Sequence, residues 1–216
     1  MLKIAARACQ EAGLLAKKHF KKKIKTSHKG PFDLVTDIDY QCEKLILEKI
    51  QRKYPSHSIV SEEKGTIEKK SEYTWIVDPL DGTINYARGI AYFGNSIAIV
   101  RDKKDPVIGV VYDPLQNELF YAEKGKGAFL NHKKIKVSGI SLLSDAIVAT
   151  DFTTQKKFMN RQYNLDMMIS HKIMGLRMMN ANSINMGNLA SGRFDAYIKV
   201  NVNLKCFFFK CFTSLC

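Results

Sequence analysis

The spacing of apolar residues at the start of the chain predicts two amphipathic helices. Between residues 2 and 20, apolar side chains recur every three or four positions, as in a helix with one buried face. A Lys-rich stretch and the pair Gly30-Pro31 then predict a loop. A second helix is expected to begin near Thr36 or Asp37, because both residue types cap helices, and to stop before Pro55.

Short β-prone stretches dominate the middle of the chain. They cover residues 58–61, 73–77, 93–101, 107–112 and 118–122. Consecutive strands joined by short turns predict an antiparallel sheet. Strands and helices alternate from residue 146 onward, which predicts an α/β half. Six methionines between residues 167 and 186 are expected to fill the core rather than a cofactor site.

The composition is typical of a soluble globular protein, with 45% apolar and 25% charged residues in a chain of 216. No apolar run approaches the ~18 residues of a membrane-spanning helix, and the charged N-terminus does not resemble a signal peptide. The five cysteines indicate no disulfide framework, and the spacing of Cys206, Cys211 and Cys216 matches no common zinc motif. We therefore expect a cytoplasmic protein with reduced thiols and no membrane partner.

The net charge of +13 has two interpretations. Seven lysines lie between residues 17 and 29, with no acid between Glu11 and Asp33. The simpler interpretation is a solvated helix end and loop in a Lys-rich chain. The alternative is an electrostatic footprint for RNA or an acidic protein partner. A positive field would also attract a small phosphorylated molecule.

Candidate chemistry concentrates in the segment Asp78-Pro-Leu-Asp-Gly-Thr83, which follows the predicted strand at 73–77. Mg²⁺ prefers oxygen ligands, and the two Asp side chains lie three positions apart on a short predicted turn. The Gly-Thr pair after them can offer backbone N–H groups to an anion. A structural interpretation, in which Asp81 caps a short helix over residues 83–87, does not account for Asp78. The segment therefore indicates metal-assisted hydrolysis of a phosphate ester.

Two further pairs of acids are candidates. Glu62 and Glu63 follow the short strand at 58–61, where adjacent carboxylates repel each other unless a cation is near. In isolation they are best explained as an exposed acidic pair, but the neighbouring Asp segment favours a metal ligand. Asp37 and Asp39 lie at a helix start, where acids are favourable for structural reasons alone.

Four segments together resemble the inositol monophosphatase family. They are residues 32–39 (Phe-Asp-Leu-Val-Thr-Asp-Ile-Asp), 61–63 (Ser-Glu-Glu), 75–85 (Trp-Ile-Val-Asp-Pro-Leu-Asp-Gly-Thr-Ile-Asn) and 125–128 (Gly-Lys-Gly-Ala). The resemblance runs to about residue 200, and the Asp-Pro-x-Asp-Gly-Thr block is specific to a superfamily of Mg²⁺-dependent, lithium-sensitive phosphomonoesterases. It implies a mixed α+β and α/β fold, the layered α-β-α-β-α sandwich of sugar phosphatases, and a homodimer.

The resemblance also implies the roles of individual residues. The ligands of Mg²⁺ would be Glu62, Asp78, the backbone carbonyl of Leu80, and Asp81. Phosphate would be held by the backbone N–H groups of Gly82 and Thr83, with Asp81 beside them. Three catalytic residues would together orient the attacking water, namely Glu62, Thr83 and Asp39. The expected reaction is in-line phosphoryl transfer to a metal-activated water.

The chain departs from the family pattern near its end. The family's Trp-Asp-x-Ala-x-Gly motif, whose Asp binds the second metal, is absent, and no carboxylate follows Asp195. We therefore expect a C-terminally truncated or frameshifted chain that lacks the last elements and has impaired activity. The expected domains are an N-terminal α+β half with the antiparallel sheet and metal site (1–140), an incomplete C-terminal α/β half (141–203) and an atypical tail (204–216).

Two more departures concern the substrate. Asn180-Ala-Asn182 stands where the family has Gly-Ser/Thr-Ala, and Lys199 stands where an acid usually contacts substrate hydroxyls. The leading hypothesis is a Mg²⁺-dependent phosphomonoesterase, similar to inositol-1-monophosphatase, that acts on a small phosphorylated polyol or sugar. The alternative is a phosphatase-like basic scaffold that binds RNA or an acidic protein partner.

Overall fold

Two helices lie against one face of the main sheet. The computed structural model describes residues 1–30, 32–153 and 155–200, so the predicted tail at 204–216 lies outside the described residues. Helix α1 (Leu2–His19) buries a stripe of small side chains, and a Cβ at Gly13 would lie 2.5 Å from the Tyr112 ring. Helix α2 (Asp37–Lys53) begins at the predicted cap Thr36 and packs against α1.

The Lys-rich segment between the two helices was expected to be a loop, and this prediction is wrong. It contains an antiparallel hairpin of β1 (Thr26–Gly30) and β2 (Asp33–Thr36). The side chains of β1 are largely exposed, so they show no alternation of apolar and polar residues. Strand β1 therefore carries no periodic pattern, which explains why the sequence did not indicate the hairpin.

The main sheet has eight strands within the described residues, in the order β10-β9-β8-β7-β6-β5-β3-β4. Their bounds are β3 (Ser58–Ser61), β4 (Gly65–Ile67), β5 (Tyr73–Asp81), β6 (Gly94–Arg101), β7 (Asp105–Asp113), β8 (Glu118–Glu123), β9 (Gly127–Leu130) and β10 (Lys133–Ile135). The predicted antiparallel pairing holds for every neighbouring pair except β3 and β5, which are parallel. The exception arises because β4 returns along the outer edge of β3 before β5 begins on its other side.

Beyond the main sheet lie a helix, a small sheet and another helix. Helix α5 (Asn182–Ala190) contacts β6 and β7 on one side and the small sheet on the other. The small sheet is parallel, in the order β12-β11-β13, with bounds β11 (Ile147–Thr150), β12 (Gly175–Met178) and β13 (Ala196–Ile198). Ala149 packs in the cluster that includes α5, whereas Thr150 donates to Asp166 of α4 (Lys156–Ser170) at 3.0 Å. Successive residues of a strand point to opposite faces, so α4 and α5 cover opposite faces of the small sheet.

The layers therefore follow the expected α-β-α-β-α order, and the predicted mixed α and β fold is confirmed for the described residues. The hydrophobic core has two parts, one on each face of the main sheet. In β5, Trp75 and Val77 pack toward α1 and α2, whereas Ile76 packs toward α5. Burial on both faces explains why this strand is an almost continuous apolar run.

Several methionines are not where the sequence analysis expected them. Met186 is buried in the core, but Met167, Met168, Met174 and Met178 are each about half exposed or more. They lie on α4 and around β12, at the outer layer of the described fold. In the part of the chain that the structure describes, no helix is both long and apolar enough to cross a membrane.

Candidate active site

The Asp-Pro-Leu-Asp segment is the bulged end of a strand, not the turn after it. Asp78 pairs with Ser96 and Asp81 pairs with Gly94, so β5 has one more residue than β6 over this interval. Such a bulge bends the strand and redirects its side chains. Both Asp side chains are buried, with 3% exposure each. The Asn95 amide donates to the Pro79 carbonyl and so secures the bulge.

Gly82 is the residue that allows the chain to leave β5 and enter the short helix α3 (Thr83–Ala87). Its φ of +88° lies in the left-handed region, which side chains other than glycine rarely adopt. A Cβ at this position would lie 2.9 Å from the Tyr92 carbonyl oxygen and 3.2 Å from the Ala181 Cβ. The backbone at the start of α3 therefore sits against the segment that leads into α5.

Thr83 links two of the predicted site residues. Its Oγ1 lies 2.9 Å from Asp39 Oδ1 and 2.9 Å from the Leu80 carbonyl oxygen. A hydroxyl has one proton, so Thr83 can donate to either oxygen but not to both at once. The structure thus brings Asp39, Leu80 and Thr83 together from α2, β5 and α3.

Asp39 also has a structural role at the start of α2. Its Oδ2 accepts hydrogen bonds from the Thr36 backbone N–H at 2.9 Å and the Thr36 hydroxyl at 2.6 Å, which completes a capping box. Burial raises the pKa of Asp39; the Thr36 and Thr83 hydrogen bonds oppose this shift, and the Glu62 carboxylate adds to it. Asp39 and Glu62 are therefore electrostatic neighbours.

Asp81 caps a helix, but not the one that the sequence suggested. Its Oδ2 accepts hydrogen bonds from the Ser183 backbone N–H and hydroxyl, both at 2.6 Å, at the first turn of α5. The cap residue of α3 is Gly82, which has no side chain to contribute. This contact joins residues 102 positions apart and ties the bulge to the helix between the two sheets.

Glu62 lies on an exposed turn after β3, and a buried acid that the sequence analysis did not single out holds this turn. Glu43 of α2 is 1% exposed, and its Oε1 accepts hydrogen bonds from Ser61 Oγ at 2.5 Å, Glu63 N at 3.0 Å and Lys64 N at 2.9 Å. These three donors surround Glu62 in the chain. Glu43 therefore fixes the backbone that presents the Glu62 side chain.

Glu63 faces the basic segment rather than the bulge. Its Oε1 accepts from Lys29 of the β1–β2 hairpin, so one lysine of the N-terminal block has an acidic partner in the fold. Burial raises the pKa of Glu63; Lys29 opposes this shift, and Glu62 and Asp39 add to it. The hairpin is thereby attached to the turn that carries Glu62.

The chemistry of the donor set fits a magnesium ion. Asp78, Asp81 and the Leu80 carbonyl supply hard oxygen donors on one bulged strand end, and such donors are what Mg²⁺ prefers. The geometry is incomplete: within residues 1–30, 32–153 and 155–200, no three His, Cys, Asp or Glu side chains are grouped so as to hold a metal ion. The predicted ligand set of Glu62, Asp78, Leu80 and Asp81 therefore stays a prediction.

A cavity of about 170 Å³ opens beside the bulge. One wall is the run from Leu80 to Ile84, and the other includes Asn180, Asn182 and Lys199. The two departures from the family pattern that were noted in the sequence thus line the same cavity as the predicted phosphate-binding residues.

Behind this second wall lies a buried carboxylate that the sequence analysis missed. Asp151 accepts hydrogen bonds from the Asn180 backbone N–H at 2.6 Å, the Asn185 amide at 3.1 Å and the Tyr197 hydroxyl at 2.7 Å. Burial raises its pKa; Tyr197 and Lys199 oppose this shift, and Asp81 adds to it. Asp151 directly follows β11, as Asp78 follows a buried apolar run, and that parallel was the available signal.

Comparisons with known proteins address the fold and the site together. A model of the inositol monophosphatase family matches residues 1–207. The chain belongs to the inositol monophosphatase family. It is 39% identical over 204 residues to inositol monophosphatase 2 of Solanum lycopersicum, covering 91% of this chain and 77% of that protein. It is 37% identical over 206 residues to Nus factor SuhB of Pasteurella multocida, covering 94% and 77%.

Solved structures of the family agree with the fold. The extragenic suppressor protein SuhB from Bartonella henselae matches with a TM-score of 0.90 and 29% identity, over 99% of this chain and 82% of that one. A structure described as an IMPase/NADP phosphatase complexed with Mg²⁺ and phosphate matches with a TM-score of 0.75 and 27% identity, over 89% and 72%. The family is one of phosphatases that generally depend on Mg²⁺, and its members differ in substrate and role.

Proposed function

We propose that this protein is a Mg²⁺-dependent phosphomonoesterase that hydrolyses a small phosphorylated polyol or sugar, as inositol-1-monophosphatase does. The observation that carries the proposal is the Thr83 hydroxyl, held between Asp39 Oδ1 and the Leu80 carbonyl oxygen at the edge of a cavity. This arrangement combines a hydroxyl, a buried carboxylate and space for a small ligand. The proposal includes the impaired activity that is expected because the family's Trp-Asp-x-Ala-x-Gly motif is absent.

The proposed metal ligands are Glu62, Asp78, the Leu80 carbonyl and Asp81. Because the described residues contain no cluster of three such side chains, metal binding would bring these groups closer together, and Glu62, on an exposed turn, has room to move. When bound, Mg²⁺ would supply positive charge that acidifies a nearby water and offsets negative charge on the phosphate.

The protein's own groups then orient the reactants. Thr83 can donate its proton to Asp39 and accept one from a water molecule, so the pair can hold that water in a fixed direction. Ionised Asp39 is the better acceptor for this role. We assign the phosphate to the backbone N–H groups of Gly82 and Thr83, beside Asp81. The left-handed conformation of Gly82 supports this assignment, because it redirects the backbone at the cavity wall.

The test is a matched pair of substitutions at Thr83. Thr83→Val keeps the shape but removes the hydroxyl, whereas Thr83→Ser keeps the hydroxyl. Phosphate release from inositol 1-phosphate is measured across a Mg²⁺ titration, with Asp78→Asn as the ligand variant and the exposed Glu68→Gln as the surface control. We expect Thr83→Val to lower kcat by roughly 10² to 10⁴, the range for positioned acid–base groups, and Thr83→Ser to lower it far less.

Two results would contradict the proposal. One is Mg²⁺-independent release that survives Asp78→Asn. The other is full activity in Thr83→Val, which would remove the hydroxyl from the reaction. A panel that includes inositol, sugar and nucleoside monophosphates then identifies the substrate class.

A second function, binding of RNA or an acidic protein, is favoured by one observation. Six lysines at the end of α1 and in the following segment are exposed: Lys17, Lys18, Lys21, Lys22, Lys23 and Lys25. Among the seven lysines between residues 17 and 29, Lys29 forms an ion pair with Glu63 within the described residues. The relative from Pasteurella multocida is named Nus factor SuhB.

This second function predicts a steep dependence of binding on salt. Each phosphate contacted on a single strand contributes about −0.7 to the slope of log K against log salt concentration. Reversing Lys21, Lys22 and Lys23 to Glu should reduce this slope. The same reversal at the exposed residues Lys133, Lys134 and Lys136 gives an equal change in net charge and should have less effect. Equal effects of the two triple variants would refute a defined basic site.

Three further predictions belong to the proposal. The resemblance implies a homodimer and lithium sensitivity, and the cysteine pattern and the N-terminus predict a cytoplasmic location. The exposed side chains of Tyr163, Met167 and Met168 on α4 give an apolar surface that a second copy could cover. Light scattering of the full chain tests the dimer directly.

A further inference from the structure

The two walls of the cavity carry opposite charge. On one side, the carboxylates of Asp39 and Asp81 lie at or beside the Leu80–Ile84 run. On the other side, the amides of Asn180 and Asn182 and the ammonium group of Lys199 line the same space. A substrate whose scissile phosphate is held at the first wall would therefore have a cation and two amide groups within the same cavity.

Lys199 is held in place at this second wall. Its side chain is 15% exposed, and its Nζ donates to Asn182 Oδ1 at 2.8 Å. Asp151 Oδ2 lies 4.0 Å from the same nitrogen and already accepts from Tyr197 at 2.7 Å. An ammonium group has three protons, so Lys199 can contact more than one acceptor at a time.

We propose that Lys199 recognises a second anionic group on the substrate, a phosphate or carboxylate on the leaving group. A hydroxyl in this position would accept a hydrogen bond from the ammonium group but carry no opposite charge, whereas an anion would form an ion pair with Lys199, whose side chain is only 15% exposed to screening by water. The inference rests on the proposed function, because it takes the scissile phosphate to bind at Gly82 and Thr83. It narrows the substrate class to phosphomonoesters that carry a second anionic group.

A purely structural role for Lys199 makes a different prediction. If the ammonium group serves only to balance Asp151, its loss should weaken folding and lower the activity toward every substrate by the same factor. If it contacts the substrate, its loss should change the ratio between substrates. The readout is therefore a ratio of kcat/KM values within matched pairs, not the activity itself.

The experiment uses two substrate pairs that differ in one group. Fructose 1,6-bisphosphate against fructose 1-phosphate tests a second phosphate, and 6-phosphogluconate against glucitol 6-phosphate tests a carboxylate. The variants are Lys199→Gln, which removes the charge, and Lys199→Arg, which keeps it. We expect the wild type to prefer, in at least one pair, the member with two anionic groups. Lys199→Gln should reduce that preference about 10- to 100-fold, and Lys199→Arg should retain part of it.

Binding without turnover separates this inference from the proposed function. The affinity of each compound is measured by calorimetry in EDTA, for the wild type and for Lys199→Gln. If no compound is hydrolysed with Mg²⁺, the proposed function fails and the binding ratio alone decides the inference. An unchanged ratio in both assays, with a lower unfolding midpoint, overturns it and leaves Lys199 as the partner of Asp151. Preference of the wild type for the members that carry the phosphate alone also overturns it.

Discussion

Replacing Gly82 by alanine tests how tightly the candidate site is built into the fold. The new methyl group has two separate costs. The first is conformational, because φ is +88° and side chains in the left-handed region cost about 1–2 kcal/mol. The second is steric, because the Cβ would lie 2.9 Å from the Tyr92 carbonyl oxygen and 3.3 Å from the Phe93 Cα.

The steric cost cannot be relieved by moving a flexible side chain. Both nearest backbone atoms belong to the segment that leads into β6, and the Ala181 Cβ at 3.2 Å closes the third side. Overpacking of this kind typically costs about 1–3 kcal/mol. The sum predicts that Gly82→Ala lowers the free energy of unfolding by about 2–5 kcal/mol.

Gly65 and Gly125 provide the matched control. Their φ values are +74° and +79°, close to that of Gly82, and a Cβ at either would meet nothing within 4 Å. Gly65→Ala and Gly125→Ala should therefore show the conformational cost alone. With an m-value of about 2 kcal/mol per molar urea, the steric cost moves the urea midpoint of Gly82→Ala about 0.5–1.5 M below those of the controls.

The assay is urea unfolding of the wild type and the three variants, followed by circular dichroism. Equal midpoints for Gly82→Ala and the two controls would refute the reasoning, because they would mean that the close approach to Tyr92 does not exist. A changed m-value would show that the variant alters the compactness of a state rather than one contact. Loss of phosphate release in Gly82→Ala, at a urea concentration where it is folded, would further place the Gly82 backbone in the site.

Two other predictions follow from buried carboxylates. Glu43→Ala should speed amide hydrogen exchange at Glu63 and weaken the dependence of phosphate release on Mg²⁺, because the turn that carries Glu62 loses its hydrogen-bond acceptor. Glu48→Ala, on the exposed face of α2, is the control, and unchanged exchange in Glu43→Ala would contradict this role. Burial raises the pKa of the Asp113 carboxyl above its ordinary value of 3.8, so at pH values just above 3.8 the folded state keeps a proton that the unfolded chain has lost. The free energy of unfolding therefore falls as the pH rises from 3.8 to the raised pKa. When the free energy of unfolding is measured against pH, Asp113→Asn should fall less steeply than the wild type over this range. Parallel curves for the two proteins would exclude this role of Asp113.

The helices and the longer strands were predictable because each has a buried face with a regular repeat. Helices α1, α2 and α5 and the central strands β5 to β8 follow apolar patterns of 3.6 or 2 residues, or continuous apolar runs. Strands β4, β9 and β10 are three or four residues long and largely exposed or half-buried, so they carry no such pattern. The β1–β2 hairpin was missed for the same reason.

Within the site, the sequence indicated the residue types but not their partners. The bulge at Asp78 and Asp81 depends on pairing with β6, which no local pattern specifies. The contact between Asp81 and Ser183 joins residues 102 positions apart, and it depends on where α5 packs. Glu43 was missed because a single acid on a helix has no signature until the turn that it holds is known.

Two of the predicted catalytic and metal-binding acids have structural roles that would select the same residue type without any chemistry. Asp39 completes the capping box of α2, and Asp81 caps the first turn of α5. Substituting either acid therefore changes folding and chemistry together, and a loss of activity would not separate them. Thr83 differs, because its hydroxyl lies between Asp39 and the Leu80 carbonyl while Gly82, not Thr83, is the cap of α3. The comparison of valine with serine at Thr83 consequently tests catalysis more cleanly than any substitution of the conspicuous carboxylates.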